Sequence, residues 1–386
     1  GIIGYIGDQP AIPILLEGLK RLEYRGYDSC GVAVLGDGPP LCIKTQGKIA
    51  NLQGRLNSVQ SSAAMGIGHT RWATHGRPSE ANAHPHADCH GRIYLIHNGI
   101  IENYSQLQRD LARKGHSFRS ETDTEVLAHL IEENYRGDIL QAVARSIERV
   151  TGTFGLAVFH RDEPDRIVLA RRGSPLVIGV GKGEMLAASD VSAILRHTDQ
   201  VIYLDDNEIA AIRKNDFRIM SLSDEVVERA PETVEWQAED TEKNGFPHFM
   251  LKEIFEQPDT VINAIRGRIL PDEGVSKLGG LESVLADLKR MKRLVLISCG
   301  TSYHAGLLGR YIFEKLTDVT VDVEIASEFR YRNIHLAPGT VVLAISQSGE
   351  TADTIAAVRE ARRKGALALG MVNVVGSTIA RETQAG

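Results

Sequence analysis

The feature that most restricts the fold is a change in the apolar pattern on either side of residues 224–245, a stretch that is acidic and has little aliphatic periodicity. Such a segment reads as an interdomain linker. Before it, short apolar runs mix with helices. Strands are expected at residues 1–7, 65–74, 92–101, 153–159, 166–170, 176–180 and 185–188. Turn signals separate the later ones, Asp162-Glu163-Pro164-Asp165 and Arg172-Gly173-Ser174-Pro175. A helix is expected at 105–114. A second begins at Thr122, where Thr122-Asp123-Thr124-Glu125 has capping-box form and Val126, Leu127, Leu130 and Ile131 keep helical spacing. A third carries Leu140, Val143, Ile147 and Val150 on one face. Helices flanked by many short strands imply a layered α+β domain.

After the linker and a helix at 249–266, strands alternate with helices. Residues 293–298 are an apolar strand that runs into Cys299-Gly300-Thr301-Ser302 and a helix at 304–316. Residues 340–345 repeat the design through Ser346-Gln347-Ser348-Gly349-Glu350-Thr351 and a helix to 364, followed by a strand at 366–375. This is the signature of a parallel, doubly wound α/β sheet. Three or four strands would leave an open apolar edge, so the second domain reads as incomplete. The 386 residues divide into 1–223, a linker at 224–248 and 249–386.

Composition excludes some functions. A net charge of -6 with dispersed Lys and Arg argues against a nucleic-acid binder. No apolar stretch approaches the ~20 residues of a membrane span. Cys30, Cys42, Cys89 and Cys299 fit neither a zinc pattern nor a disulfide framework, which points to a reduced, cytoplasmic protein. The N-terminus lacks both the basic region of a signal peptide and an initiator Met, so the chain is expected to be processed or incomplete.

Three groups of residues bear on chemistry. The two Gly/Ser/Thr turns after parallel strands each read as an N-cap or an anion site. Together, at the carboxyl ends of neighbouring strands, they favour a phosphate cradle built from Thr301, Ser302, Ser346, Gln347, Ser348 and Thr351. In His69-Thr70-Arg71-Trp72-Ala73-Thr74-His75-Gly76, the Arg71 fork suits a carboxylate. Asp123 alone is a first-turn acid, but with Arg71 it matches both charges of a free α-amino acid. Asn98 and Gly99, after an apolar strand, read as an oxyanion hole or as an Asn-Gly turn. His75, His84, His86 and His90 have no standard zinc spacing, so no metal is expected.

At these residues the sequence resembles the glutamine–fructose-6-phosphate aminotransferase (isomerising) family throughout its length. The matching stretches include Leu22-Glu23-Tyr24-Arg25-Gly26-Tyr27-Asp28-Ser29, residues 69–76, Asn82-Ala83-His84-Pro85-His86, residues 97–103 and residues 120–125. Others are residues 299–302, 324–332 and 346–351. The resemblance implies an N-terminal-nucleophile hydrolase domain, a four-layer αββα sandwich, followed by an incomplete sugar-isomerase domain. It implies transfer of the glutamine amide nitrogen to fructose 6-phosphate, giving glucosamine 6-phosphate and glutamate, the first step of hexosamine synthesis. Glutamine would be surrounded by Arg71, Trp72, Thr74, His75, Gly99 and Asp123, with Asn98 and Gly99 on the oxyanion. The complete protein would be a homodimer without a cofactor.

The family's nucleophile is an N-terminal cysteine, expected immediately before Gly1, so a chain starting at Gly1 is expected to lack glutaminase turnover. Cys30, Cys42 and Cys89 have no free α-amino group to replace it. The family's isomerisation residues lie beyond Gly386. Two alternatives remain at the level of sequence. One is a phosphoribosyl-type amidotransferase, which would need a pyrophosphate-sugar loop. The other is a non-catalytic sugar-phosphate-binding module, which would normally carry a DNA-binding segment.

Overall fold

The computed structural model describes the chain except residues 24, 25, 74, 223, 224, 235–244, 271, 272, 375 and 376. Two compact units emerge, Gly1–Asn244 and Gly245–Gly386.

The first unit opens with β1 (Ile2–Ile6), α1 (Ala11–Arg21), β2 (Ser29–Leu35), β3 (Leu41–Gln46), α2 (Ile49–Leu56) and β4 (Met65–Arg71). Then come β5 (His86–Ala87), β6 (Ile93–Ile101), α3 (Tyr104–Arg113), α4 (Glu125–Asn134) and α5 (Ile139–Ile147). It continues through β7 (Gly152–His160), β8 (Ile167–Arg172), β9 (Val177–Val180), β10 (Met185–Ala188) and β11 (Gln200–Tyr203). The last strands are β12 (Glu208–Ile212), β13 (Phe217–Ser221), β14 (Val226–Val227) and β15 (Glu232–Thr233).

These strands make an eight-stranded sheet, β15-β11-β9-β10-β1-β4-β2-β3, and a seven-stranded sheet, β14-β13-β12-β8-β7-β6-β5. Side chains alternate across each strand, so one strand feeds two cores. Ile2 and Ile6 face the second sheet, where they join Ile96, Ala157, Phe159, Ile167 and Leu169. Ile3 and Tyr5 face α1 and α2 and pack with Leu15, Leu19 and Leu52. On the far side of the second sheet, Leu156 and Val158 pack with Leu127, Ile131 and Val143 of α4 and α5. The result is four layers, helix–sheet–sheet–helix. With both faces of both sheets covered, the strands read as unbroken apolar runs rather than as alternating ones.

One local expectation fails. The helix expected from Thr122 starts at Glu125, and there is no capping box. The Glu125 carboxylate accepts instead from the backbone N–H groups of Arg119 (2.8 Å) and Ser120 (2.7 Å) and from Ser120 Oγ (2.7 Å). The acid that would have capped its own helix holds the preceding loop against it.

The second unit starts with α6 (Phe249–Ile265), β16 (Ile269–Leu270), β17 (Val275–Ser276) and α7 (Leu285–Leu288). There follow β18 (Arg293–Ser298), α8 (Gly300–Leu316), β19 (Thr320–Ile325), α9 (Ala326–Tyr331), β20 (Thr340–Ser346), α10 (Ala352–Arg363), β21 (Leu367–Val372) and α11 (Thr378–Glu382). A parallel sheet in the order β19-β18-β20-β21 forms its centre. Val295, Ile297, Val342 and Ala344 pack with Phe329, Ile355 and Val358 on one face. Leu294, Leu296 and Val341 cover the other. The outer edge of β21 is not bare. Gly370 N–H donates to the Ala385 carbonyl (3.0 Å), and Gln384 N–H donates to that of Ala368 (2.9 Å).

Phe159 is fully buried between the two sheets of the first unit. Phe159→Ala should cost about 3–5 kcal/mol of stability, measured by urea unfolding.

Candidate functional site

The face-to-face sheets bring the ends of β4 and β6 together beside the first residue of the chain. Thr70 N–H donates to the Gly1 carbonyl (3.0 Å), and the Gly1 nitrogen donates to the Thr70 carbonyl (2.6 Å). The same nitrogen is 3.5 Å from Asn98 Oδ1, which also lies 2.9 Å from His69 Nε2. An amide oxygen only accepts, so His69 must carry its proton on Nε2. The Asn98 amide is thereby fixed with its NH2 group left to donate elsewhere. Burial holds the His69 imidazole well below its ordinary pKa, which keeps it a neutral Nε2–H donor.

Gly99 follows with φ +129°, and a Cβ there would lie 2.1 Å from the Thr153 carbonyl oxygen. Only glycine fits this backbone. His97 pins the strand on its other side. Its Nε2 faces the Thr153 carbonyl (3.3 Å) and its Nδ1 faces the Thr124 hydroxyl (2.8 Å). The carbonyl needs a donor, so Nε2 bears the proton and Nδ1 accepts from Thr124.

Arg71 ends β4 and is buried. Its Nη2 donates to the carbonyls of His75 and Gly76, the latter at 2.9 Å, which shapes the loop after the strand. Its Nη1 is buried without a hydrogen-bond partner among the described residues, 4.0 Å from Asp28 Oδ1. Asp28 in turn accepts from Ala73 N–H and from Ser29 Oγ (2.7 Å). Burial lowers the Arg71 pKa, while Asp28 and Asp123 support its charge.

Asp123 is not a helix cap. Its Oδ2 accepts from Ile101 N–H (2.8 Å) at the end of β6, and its Oδ1 lies 4.0 Å from His75 Nδ1. Arg71, His75 and Asp123 therefore converge, and Asn98 and Gly99 lie on the strand that holds Asp123. Trp72 is 59% exposed and meets Tyr27 edge-on, with ring centroids 5.3 Å apart. Thr74 lies outside the described residues.

The other histidines are structural neighbours of this site. His84 stacks on His69 at 4.2 Å and accepts from His97 N–H (3.2 Å) through Nδ1. His86 meets the Thr122 hydroxyl at 3.1 Å. Sequence reading missed His69, His97 and Asp28 as supports. The period of two from Arg71 to His69 was the available signal, since it puts both on one face of β4.

In the second unit the two strand-to-helix turns stand on neighbouring strands β18 and β20, whose ends pair as Ser298↔Ile345. The helix after the first turn begins at Gly300, earlier than the expected 304, so Thr301 and Ser302 lie in its first turn. In the second turn, Gly349 N–H donates to Ser346 Oγ (3.0 Å) and Glu350 N–H to Ser348 Oγ (3.2 Å). Both hydroxyls still have a proton to donate. Gly349 has φ +66°, and a Cβ there would lie 2.0 Å from Ser377 Oγ. Thr351 is the N-cap residue of α10 and makes no side-chain cap bond. Gln347 is exposed. Glu350 is turned away, accepting from Thr378 N–H (2.7 Å) and Oγ1 (2.8 Å).

A glutamine amidotransferase domain matches residues 55–244, and a SIS domain matches residues 287–386. The chain thus joins an amidotransferase domain of N-terminal-nucleophile fold to a sugar-isomerase domain. A glutamine phosphoribosylpyrophosphate amidotransferase structure from B. subtilis superposes with a TM-score of 0.52 at 19% identity, covering 96% of this chain and 81% of that one. That likeness concerns the fold alone. The chain is a homologue of the glutamine–fructose-6-phosphate aminotransferases (isomerizing). It is 50% identical to the Chlorobaculum tepidum protein of that name across 100% of its own length, and 47% identical to the Symbiobacterium thermophilum one across 99%. It spans 64% and 63% of those relatives. Among the described residues no helix is long and apolar enough to cross a membrane.

The buried neutral histidines make stability depend on pH. Burial lowers His86 from 6.5 to about 3 and displaces His69 and His84 in the same direction. Unfolding frees these rings to bind protons. Their stabilising contribution is therefore complete above pH 6.5 and declines as the pH falls toward 3. The loss should be on the order of 1 kcal/mol per pH unit for each ring, read as a lower urea midpoint at about pH 5 than at about pH 7.5.

Proposed function

We propose that the full-length protein transfers the amide nitrogen of glutamine to fructose 6-phosphate. The observation that carries this reading is the convergence of Arg71 and Asp123 beside a fixed Asn98 amide. A free amino acid has a carboxylate and an ammonium group, and these side chains offer a complement to each. Nη1 of Arg71, which has no hydrogen-bond partner among the described residues, takes the carboxylate, and Asp123 takes the ammonium group. The side-chain amide of glutamine then extends toward Asn98 and Gly99.

The nucleophile is assigned to a cysteine joined to the Gly1 nitrogen, which lies 3.5 Å from Asn98 Oδ1. Its thiol adds to the δ-carbonyl carbon, with its own α-amino group taking the proton. Negative charge develops on the carbonyl oxygen, and the Asn98 NH2 and Gly99 N–H stabilise it. Collapse of the adduct expels ammonia and leaves a γ-glutamyl thioester, which water cleaves to glutamate. Trp72, Thr74 and His75 complete the glutamine contacts in this reading.

Ser302, Ser346, Gln347, Ser348 and Thr351, with Thr301 nearby, are assigned to the phosphate of fructose 6-phosphate. The support is their place at two helix N-termini on neighbouring strands, where the helix dipoles favour an anion without lysine. The isomerisation is assigned to no residue of this chain. A cytoplasmic homodimer belongs to the same reading.

Two measurements test it. A chain extended by one cysteine before Gly1 should release glutamate from glutamine, and the chain with a mass confirming Gly1 as its first residue should not. Robust release by the latter would overturn the assigned nucleophile. In calorimetry, Arg71→Ala should weaken glutamine binding at least about a hundredfold, as expected for a buried charge-assisted pair, and leave binding of fructose 6-phosphate unchanged.

A further inference from the structure

Around α4, four potential ligands from three separate segments meet. Cys89 lies in the turn between β5 and β6, His116 in the connection from α3 to α4, and His129 and Glu132 on α4 itself. One ligand atom from each lies within 4.8 Å of all the others. Cys89 Sγ is 3.6 Å from His116 Nδ1 and 3.4 Å from His129 Nδ1. Glu132 Oε2 is 3.0 Å from His116 Nδ1 and 3.4 Å from His129 Nδ1.

These separations have a simple geometric meaning. Zinc ligands stand about 2.0–2.3 Å from the metal, so at tetrahedral angles the donor atoms are about 3.3–3.6 Å apart. The four measured edges fall on or close to that range. Nδ1 of both rings faces the common point, which leaves both Nε2 atoms outward. Each outward nitrogen meets a second carboxylate. His116 Nε2 is 3.3 Å from Glu133 Oε1, and His129 Nε2 is 3.6 Å from Glu125 Oε1. Histidine ligands are typically backed by carboxylates in this way, which fixes the tautomer and the ring orientation. The His129 ring is almost wholly buried, and among the described residues the Glu125 carboxylate is the partner that faces its Nε2. His90 Nε2 lies 3.5 Å from the other oxygen of Glu132, on the solvent side.

We propose that Cys89, His116, His129 and Glu132 form a tetrahedral site for a divalent zinc-like cation. A thiolate and a carboxylate together neutralise a dication, and the two neutral imidazoles complete four coordination. Four protein ligands make a closed site, so its role is structural rather than hydrolytic. The site joins three segments that lead to the glutamine pocket. The turn holding Cys89 continues into β6 and Asn98, the connection holding His116 continues to Asp123, and α4 starts two residues after Asp123. No short-range sequence pattern announces this site. Only His129 and Glu132, three apart on one helix face, could have been paired from the sequence.

The test uses the full 386-residue chain. After treatment with a chelator, the protein is titrated with Co2+ and, separately, with Zn2+ followed by elemental analysis. One equivalent of metal per chain is expected. Cobalt should give the intense visible bands of tetrahedral coordination and a thiolate charge-transfer band, and Zn2+ should displace both. Cys89→Ser should abolish the charge-transfer band, whereas Cys42→Ser should keep it. Glu133→Gln, which leaves all four ligands in place, should weaken zinc binding about 10–100-fold. Binding of no stoichiometric metal by the folded wild-type chain would overturn the proposal, as would a charge-transfer band that survives in Cys89→Ser. Because the wild-type spectrum requires no substitution, a variant that fails to fold leaves the test intact.

Discussion

The hydrogen bond from His69 Nε2 to Asn98 Oδ1, 2.9 Å long, crosses between the two sheets at the point where the candidate site is built. It depends on everything around it. The two sheets must stack face to face for β4 and β6 to meet, and the imidazole must be buried for it to stay neutral and donate. Its consequence is directional. With the amide oxygen occupied, the NH2 end of Asn98 is the end left for a ligand, which is the donor that the proposed reaction needs. The Asn98-Gly99 pair lies within β6 rather than in a turn, and a histidine from the opposite sheet decides which way its amide points.

The remaining side chains are held by similar exchanges between loop and framework. Arg71 gives one arm of its fork to the carbonyls of residues 75 and 76, and among the described residues the other arm has no hydrogen-bond partner. Asp123 gives one oxygen to Ile101 N–H and keeps the other near His75. Each group is fixed by half of its bonding capacity and has the other half available for a ligand. Such preorganisation reduces the reorganisation that binding would otherwise require.

Much of this was legible in the sequence because the informative signals were local. Strand-turn-helix punctuation around Cys299 and Ser346 marked the parallel sheet of the second unit, and the stretches 69–76 and 97–103 singled out residues that the structure brings together at the ends of β4 and β6. What stayed hidden was set by contacts between distant residues. Thr122-Asp123-Thr124-Glu125 has the form of a capping box, yet Asp123 bonds to β6 and Glu125 to the loop before it, since tertiary partners outbid a local cap. By sequence, His84 and His86 are weighed only as metal ligands, and His69 and His97 only as members of their motifs. Their use in orienting Asn98 and Gly99 follows from stacking between strands, which no spacing rule contains. Thr74 is legible as a motif residue and lies outside the described structure.

The central claim is that Arg71, Asp123 and Asn98 together define where glutamine lies. A crystal structure of this chain with glutamine bound tests it most directly. The account predicts the α-carboxylate on the Arg71 guanidinium, the ammonium group on Asp123, and the side-chain carbonyl oxygen within hydrogen-bond distance of Asn98 Nδ2. Glutamine bound elsewhere, or bound here with its side-chain amide pointing away from Asn98, would contradict it.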